Sequence, residues 1–371
     1  MSLSLKKYYH KTTISLLPNI KILLIRLLLL STPLITQNNN EPVTPYSYCN
    51  WSNICLDKTY TPSKSDSCLF VVSTRNYDFS KQEFVDYDYD NSSTLKYFAV
   101  YFKGNNWTAI PYSSLEELLN LKNDMKDVVV FTEGLGKTFT LGIDRATKLM
   151  RIYPVNGIFF DWPTERPYLG PGKNIIKTCR IAPKVAVCYS KFLEEFQCYK
   201  NEHPLKFCTV TLLFHSMGNM VLMHNLKKDL YKNLTPGLVD NVVLNAACVK
   251  QRQHYKWIDK LNFAKNTYIT INDRDRNLRG ARIIFAAHQL GEKIKSRQSK
   301  KVNYVNFSDV LDSEHNYFLI TSLLKRKPYL KQFYHDIFVG KKPQLHFSES
   351  QYVDLTKGFP ETHKTNGLSG I

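Results

Sequence analysis

Thr209-Val210-Thr211-Leu212-Leu213-Phe214-His215-Ser216-Met217-Gly218-Asn219-Met220-Val221-Leu222-Met223 runs from an apolar β-rich segment into one serine, then into a second apolar segment with no proline. The first half suits a strand buried on both faces, and the second suits a helix. Ser216 therefore falls at a strand-to-helix junction, where a sharp turn lifts a hydroxyl above the carboxyl edge of a sheet. The following helix would aim its positive dipole end at negative charge developing nearby. Taken alone, the same serine could simply be the N-cap of that helix. A serine hydroxyl is a weak nucleophile without a positioned base, so later residues decide between the two readings.

Outward from this stretch, from Asp127 onward, apolar runs alternate with helical segments. Strands are expected at 128–131, 157–160, 209–214, 241–245, 267–271 and 302–307. Helices are expected at 137–152, 174–198, 217–231 and 278–295. Several of the strands are apolar on successive residues, as when helices cover both faces. The expected fold class is α/β, a doubly wound and mostly parallel sheet. Strands at 68–74 and 95–102 read as an antiparallel entry to it, and 329–338 as a late helix before an extended tail.

Ligand sites in such sheets lie beyond the carboxyl ends of the strands, so post-strand residues are the candidates. In order they give Glu133-Gly134-Leu135-Gly136, Asp161-Trp162-Pro163, Ser216, Asn272-Asp273-Arg274-Asp275 and Glu314-His315-Asn316. A nucleophile Ser216, a base His315 and an acid at Asp273 or Asp275 would form a hydrogen-bonded triad. Both aspartates could instead be turn residues paired with Arg274 and Arg276. His315 could cap a helix over 317–324. The rival His288 falls within 281–290, which reads as the interior of an amphipathic helix. Backbone N–H groups of Met217 and Leu135 are the expected oxyanion donors, with glycines letting the backbone approach. Glu133 and Trp162 are candidate pocket-lining residues, although a tryptophan more often packs. The chemistry needs no metal and no organic cofactor, and the cysteines are spaced too widely for a compact metal site.

Ser, then Asp, then His is the chain order of α/β-hydrolases. Over roughly residues 68–320 the chain resembles the mainly bacterial α/β-hydrolase family known only as hydrolases of unknown function. The resemblance is carried by Val130-Phe131-Thr132-Glu133-Gly134, Phe160-Asp161-Trp162-Pro163, His215-Ser216-Met217-Gly218-Asn219, Asn272-Asp273-Arg274-Asp275-Arg276-Asn277-Leu278 and His315-Asn316-Tyr317-Phe318. It implies a serine hydrolase acting on an ester or related acyl bond, with Asp275 as the acid because a residue pair and a leucine follow it. Two departures stand out: the family has His-Gly where this chain has Glu133-Gly134, and a small residue where it has Phe214. A carboxylate beside the oxyanion hole would oppose the oxyanion unless it is neutralised or turned away. These departures leave a second reading open, a catalytically silent domain that binds at a membrane or cell surface.

Of 371 residues, 43% are hydrophobic, enough for a sizeable core. Lys and Arg number 50 against 32 Asp and Glu, a net charge of +18 that favours anionic surfaces such as membranes. No nucleic-acid-binding motif accompanies the scattered cations, so nucleic acid is disfavoured as a partner, and a small-molecule or lipid acyl substrate is expected. Residues 1–36 combine lysines with an apolar stretch and read as a secretory signal or membrane anchor. That places the chain outside the cytoplasm or on a membrane. Residues 37–67 read as a linker and loop-rich entry, 68–326 as the α/β domain and 327–371 as a helix and tail. After export, a disulfide among Cys49, Cys55 and Cys68 would staple the entry. Asn-x-Ser/Thr triplets begin at Asn50, Asn91, Asn106, Asn233 and Asn306.

Overall fold

The computed structural model describes residues 54–56, 67–78, 83–103, 106–165, 169–343, 346–347 and 351–352. The expected signal or anchor lies outside them, as do most of the linker and the end of the tail. In chain order the strands are β1 (Ile54–Leu56), β2 (Ser67–Ser73), β3 (Arg75–Asp78), β4 (Glu83–Tyr89), β5 (Lys96–Lys103), β6 (Asn106–Tyr112), β7 (Asp127–Thr132), β8 (Asn156–Asp161), β9 (Thr209–His215), β10 (Val239–Asn245), β11 (Ala264–Ile271) and β12 (Asn303–Asn306). Ten of them form one sheet in the order β1-β6-β5-β2-β8-β7-β9-β10-β11-β12, while β3 and β4 pair separately. From β2 across to β12 every neighbouring pair is parallel. β5 is antiparallel to both β2 and β6, which is the expected antiparallel entry.

Helices α1 (Leu115–Leu119), α2 (Phe139–Ile152), α3 (Pro171–Glu202), α4 (Asn219–Lys227), α5 (Tyr255–Ile258), α6 (Arg276–Phe285), α7 (Thr321–Arg326) and α8 (Pro328–Phe338) connect or follow the strands. The α/β architecture is the one expected from alternating strand and helix periods. Val128, Val129, Val130 and Phe131 of β7 are all buried, as a central parallel strand covered on both faces requires. On α2, Phe139, Ile143, Ala146 and Leu149 form the buried stripe. Gly142 lies so close to β8 that a β-carbon there would meet the Phe159 ring at 2.4 Å. α8 adds an aromatic layer, with Phe338 edge-on to Tyr153 at 5.1 Å. Each large apolar side chain so buried contributes roughly 1.5–3 kcal/mol.

Several boundaries differ from expectation for identifiable reasons. The helix expected over 278–295 stops at Phe285, because Ala286 turns left-handed (φ +48°) and the chain folds back. Leu290 and Gly291 then donate backbone hydrogen bonds to Val249 and Ala247. The periodicity of Leu290 and Ile294 belongs to this return segment, so His288, whose carbonyl accepts from Gln251 N–H, lies beyond the helix and not inside it. The helix expected over 217–231 begins at Asn219, after a tight turn, and ends at Lys227. Residues 317–319 form a turn, with α7 starting only at Thr321, so His315 caps no helix over 317–324. β6, not among the expected strands, runs to Tyr112 through Pro111, a residue type usual near a sheet's edge; it lies between β5 and β1, and its described pairing with β1 covers Trp107 to Ala109. Cys68 carries a free, buried thiol that burial pushes up to about 12, while the other two cysteines of the expected staple, Cys49 and the side chain of Cys55, lie outside the described residues.

Candidate active site

β9 ends at His215, and Ser216 enters the turn with φ +52°, a left-handed conformation that costs a serine about 1–3 kcal/mol unless its surroundings impose it. They do impose it. The Asn219 side-chain amide donates to the carbonyls of Phe214 (3.1 Å) and Ser216 (2.9 Å), and Cys248 N–H donates to the same Ser216 carbonyl at 3.0 Å. The loop after β7 presses on the turn from the other side. A β-carbon on Gly218 would meet the Thr132 carbonyl oxygen at 2.5 Å, and one on Gly134 would meet Ser216 Cβ at 2.6 Å and Met217 N at 2.9 Å. Both positions therefore require glycine. Phe214, the bulky departure noted in the sequence, is fully buried and packs on Tyr189 of α3 at 5.3 Å. Its ring is taken up beneath that helix.

Asp275 follows β11 and serves two partners at once. Its Oδ1 accepts from Leu278 N–H at 3.0 Å as the N-cap of α6, and its Oδ2 lies 2.6 Å from His315 Nδ1. Asp275 is fully buried and the His315 side chain is 9% exposed, so this bond is shielded from water. With Nδ1–H donated to the carboxylate, the basic nitrogen of His315 is Nε2. The segment before His315 is held by Asn272, whose amide donates to the carbonyls of Asp312 (3.0 Å) and Glu314 (3.2 Å). The His315 ring lies 4.7 Å from that of His215, the residue preceding the half-buried Ser216. Asp273, the alternative acid, contributes its backbone: its N–H binds Ser308 Oγ and its carbonyl accepts from Arg279. His288, the alternative base, lies 3.3 Å from Glu292.

Glu133 and Trp162, the candidate pocket-lining residues, are both buried and bound into the frame. The Trp162 indole N–H donates to the Glu133 carbonyl at 2.8 Å. Glu133 Oε1 accepts from Gly134 N–H at 2.8 Å, while Oε2 pairs with Arg145 Nε of α2. Burial pushes this carboxyl up, but Arg145, Lys137 and the Gly134 N–H outweigh it and hold it well below its ordinary 4.5. Glu133 is thus a paired anion, not a free charge on the loop after β7. Leu135 is half-buried beside it, and Met217 is buried in the turn. Lys137 Nζ donates to the Leu135 (3.3 Å) and Gly136 (3.0 Å) carbonyls. Burial and Arg145 push its ammonium down to about 8, against the pull of Glu133 and Glu165.

A buried polar network extends from the Glu133–Arg145 pair. Arg145 Nη2 donates to Asn316 Oδ1 at 3.0 Å, and the same oxygen faces His215 Nε2 at 3.0 Å. On the other side of the ring, Asn245 Nδ2 lies 3.0 Å from His215 Nδ1. Asn245 Oδ1 accepts from Thr270 (3.1 Å) and from Tyr334, so its Nδ2 must be the donor. His215 is therefore neutral with its proton on Nε2. Burial drives its pKa well below 6.5, with Glu133 pulling the other way. Tyr317 completes the set through Thr270 at 2.6 Å. The residues flanking His315 are thereby fixed to the ends of β9, β10 and β11. Asn316 and Tyr317 sit inside a motif that the sequence singles out, whereas Arg145 is an ordinary mid-helix arginine without any local signal.

A model of the family described as alpha/beta hydrolase of unknown function (DUF900) matches residues 112–331, more than half of the chain. The matched span includes Glu133, Arg145, Ser216, Asp275 and His315. No curated protein and no solved structure matches the chain.

Proposed function

The chain belongs to the alpha/beta hydrolases of unknown function, and from that membership we propose that it is a serine hydrolase cleaving an ester or related acyl bond through Ser216, His315 and Asp275. The observation that carries the reading is the 2.6 Å bond from the buried Asp275 to His315, whose ring stands against the residue preceding a strained serine. In this chemistry His315 Nε2 takes the Ser216 proton as Oγ attacks the acyl carbonyl. The Asp275 carboxylate holds the ring tautomer and stabilises the imidazolium. The oxyanion is met by the backbone N–H groups of Met217 and Leu135. Collapse expels the leaving group with the proton returned by His315, and water then hydrolyses the acyl-enzyme by the same steps. Gly134 N–H is already donated to Glu133, so it is not counted among the oxyanion donors.

The two departures that favour a silent binding domain are both absorbed by the fold: Glu133 is balanced by Arg145, and Phe214 is buried under α3. A fluorophosphonate probe tests the enzyme reading directly. Covalent labelling of the wild-type chain that disappears in Ser216→Ala is the expected result; an unlabelled wild type, or labelling that survives the substitution, would overturn it. Chromogenic esters of graded chain length then define the acyl group.

A further inference from the structure

We infer that the surface formed by residues 250–256, the outer end of α6 and residues 287–297 docks the protein on an anionic lipid bilayer beside the candidate site. Three facts place this surface on the carboxyl edge of the sheet. Cys248, just before it, donates its N–H to the Ser216 carbonyl. Leu290 and Gly291 bind the chain leaving β10, and Asn272, at the end of β11, donates to the Gly291 carbonyl at 2.9 Å. α6 itself starts from Asp275.

The segments are knitted together. Gln251 accepts from Lys295 N–H and from Ser296, and Arg297 stacks over the Tyr255 ring at 5.0 Å. Lys250, Arg252, Lys256, Lys293, Lys295 and Arg297 are all exposed on it. The acid within these segments, Glu292, is 2% exposed and neutralised by Arg282 at 2.7 Å. Of the acids just outside these segments, half-exposed Asp259 accepts from Ser299 and exposed Asp312 faces Arg274 at 3.9 Å. The exposed charges within these segments are therefore all of one sign.

Charge complementarity requires an anionic partner, and the apolar component selects among anions. Ile283, half-exposed near the end of α6, follows Arg282 and lies one turn from Arg279. An aliphatic tip among cations is the composition of an interfacial helix: it gains free energy by entering the headgroup region, while the cations meet anionic lipid. Such a tip offers a phosphodiester chain nothing to stack on. The rings of Tyr255 and Phe285 are already engaged, the first covered by Arg297 and the second packed against the core. The proposal does not depend on whether Ser216 reacts.

Vesicle co-sedimentation of the full chain tests it, comparing phosphatidylcholine alone with phosphatidylcholine containing phosphatidylserine. Binding should require the anionic lipid, weaken with added salt, and fall at least about tenfold in Arg252→Glu/Lys293→Glu/Lys295→Glu/Arg297→Glu. A matched reversal elsewhere, Lys184→Glu/Lys227→Glu/Lys228→Glu/Lys232→Glu, should bind nearly as wild type, and residues 1–36 are identical in every variant. If the first variant shows lowered thermal unfolding, the same four positions changed to Gln replace it. Equal loss in both variants, no preference for anionic vesicles, or tighter binding of an oligonucleotide through the same four cations would overturn the proposal.

Discussion

At the scale of single residues, Glu133 is the position where a carboxylate would do most harm to the proposed acyl transfer, and its pairing with Arg145 would offset that harm. The pair is nearly dry, with side chains 4% and 16% exposed, so each charge depends on the other. Removing the arginine alone strands a buried anion on the loop after β7 and also takes a donor from Asn316. Arg145→Met should therefore lower unfolding free energy by about 3 kcal/mol or more. Glu133→Gln/Arg145→Met should regain most of it, since a glutamine oxygen can still accept the Gly134 N–H. Urea titrations of the three proteins decide this; a double variant no more stable than Arg145→Met would mean that the ion pair is not what holds this corner. The fluorophosphonate labelling rate should follow the same order, because Asn316 adjoins His315.

At the scale of elements, the β11–α6 junction joins helix capping to the proposed chemistry in one side chain. Asp275 caps a helix with one oxygen and orients His315 with the other. Asp275→Asn keeps a good cap but cannot hold the same tautomer, so it should lose activity by several orders of magnitude with little change in melting temperature. Asp275→Ala should lose activity similarly and about 1 kcal/mol of stability besides. Parallel melting curves and ester assays separate the two effects, and equal melting temperatures would show that the cap contributes nothing. The placement of Asp275 is legible in the sequence because post-strand positions carry the chemistry in this architecture, although choosing it over Asp273 rests on resemblance. The end of α6 is not legible. Leu290 and Ile294 continue a helical spacing, yet backbone bonds to Val249 and Ala247 claim that segment for another layer. The Glu133–Arg145 pair is equally hidden, since its members lie on different elements and an arginine within α2 looks like any surface cation.

At the scale of the whole molecule, the fold keeps several histidines from taking up protons, and this sets its response to acid. Burial holds His215 well below its ordinary 6.5, takes His224 down to about 4 and lowers His254 as well. Above about pH 6.5 these groups are neutral in both folded and unfolded chains and do not affect stability. Below it the unfolded chain binds protons that the folded chain refuses, so stability falls as pH falls. For His215 the slope is ~1.4 kcal/mol for each pH unit, because its folded value lies far beneath the window. Glu133 acts in a second, lower window. Its carboxyl is held well below its ordinary 4.5, so the stability it contributes is present above 4.5 and lost progressively as pH drops beneath that value. The melting temperature should accordingly stay level from pH 8 to about 7, decline between pH 6.5 and 5, and drop further below about 4.5. Differential scanning fluorimetry across that range measures it. A melting temperature that does not change between pH 7 and 5 would mean that His215 takes up its proton in the folded state. The Nε2–H tautomer that ties Asn316 to β9 would then be the wrong assignment.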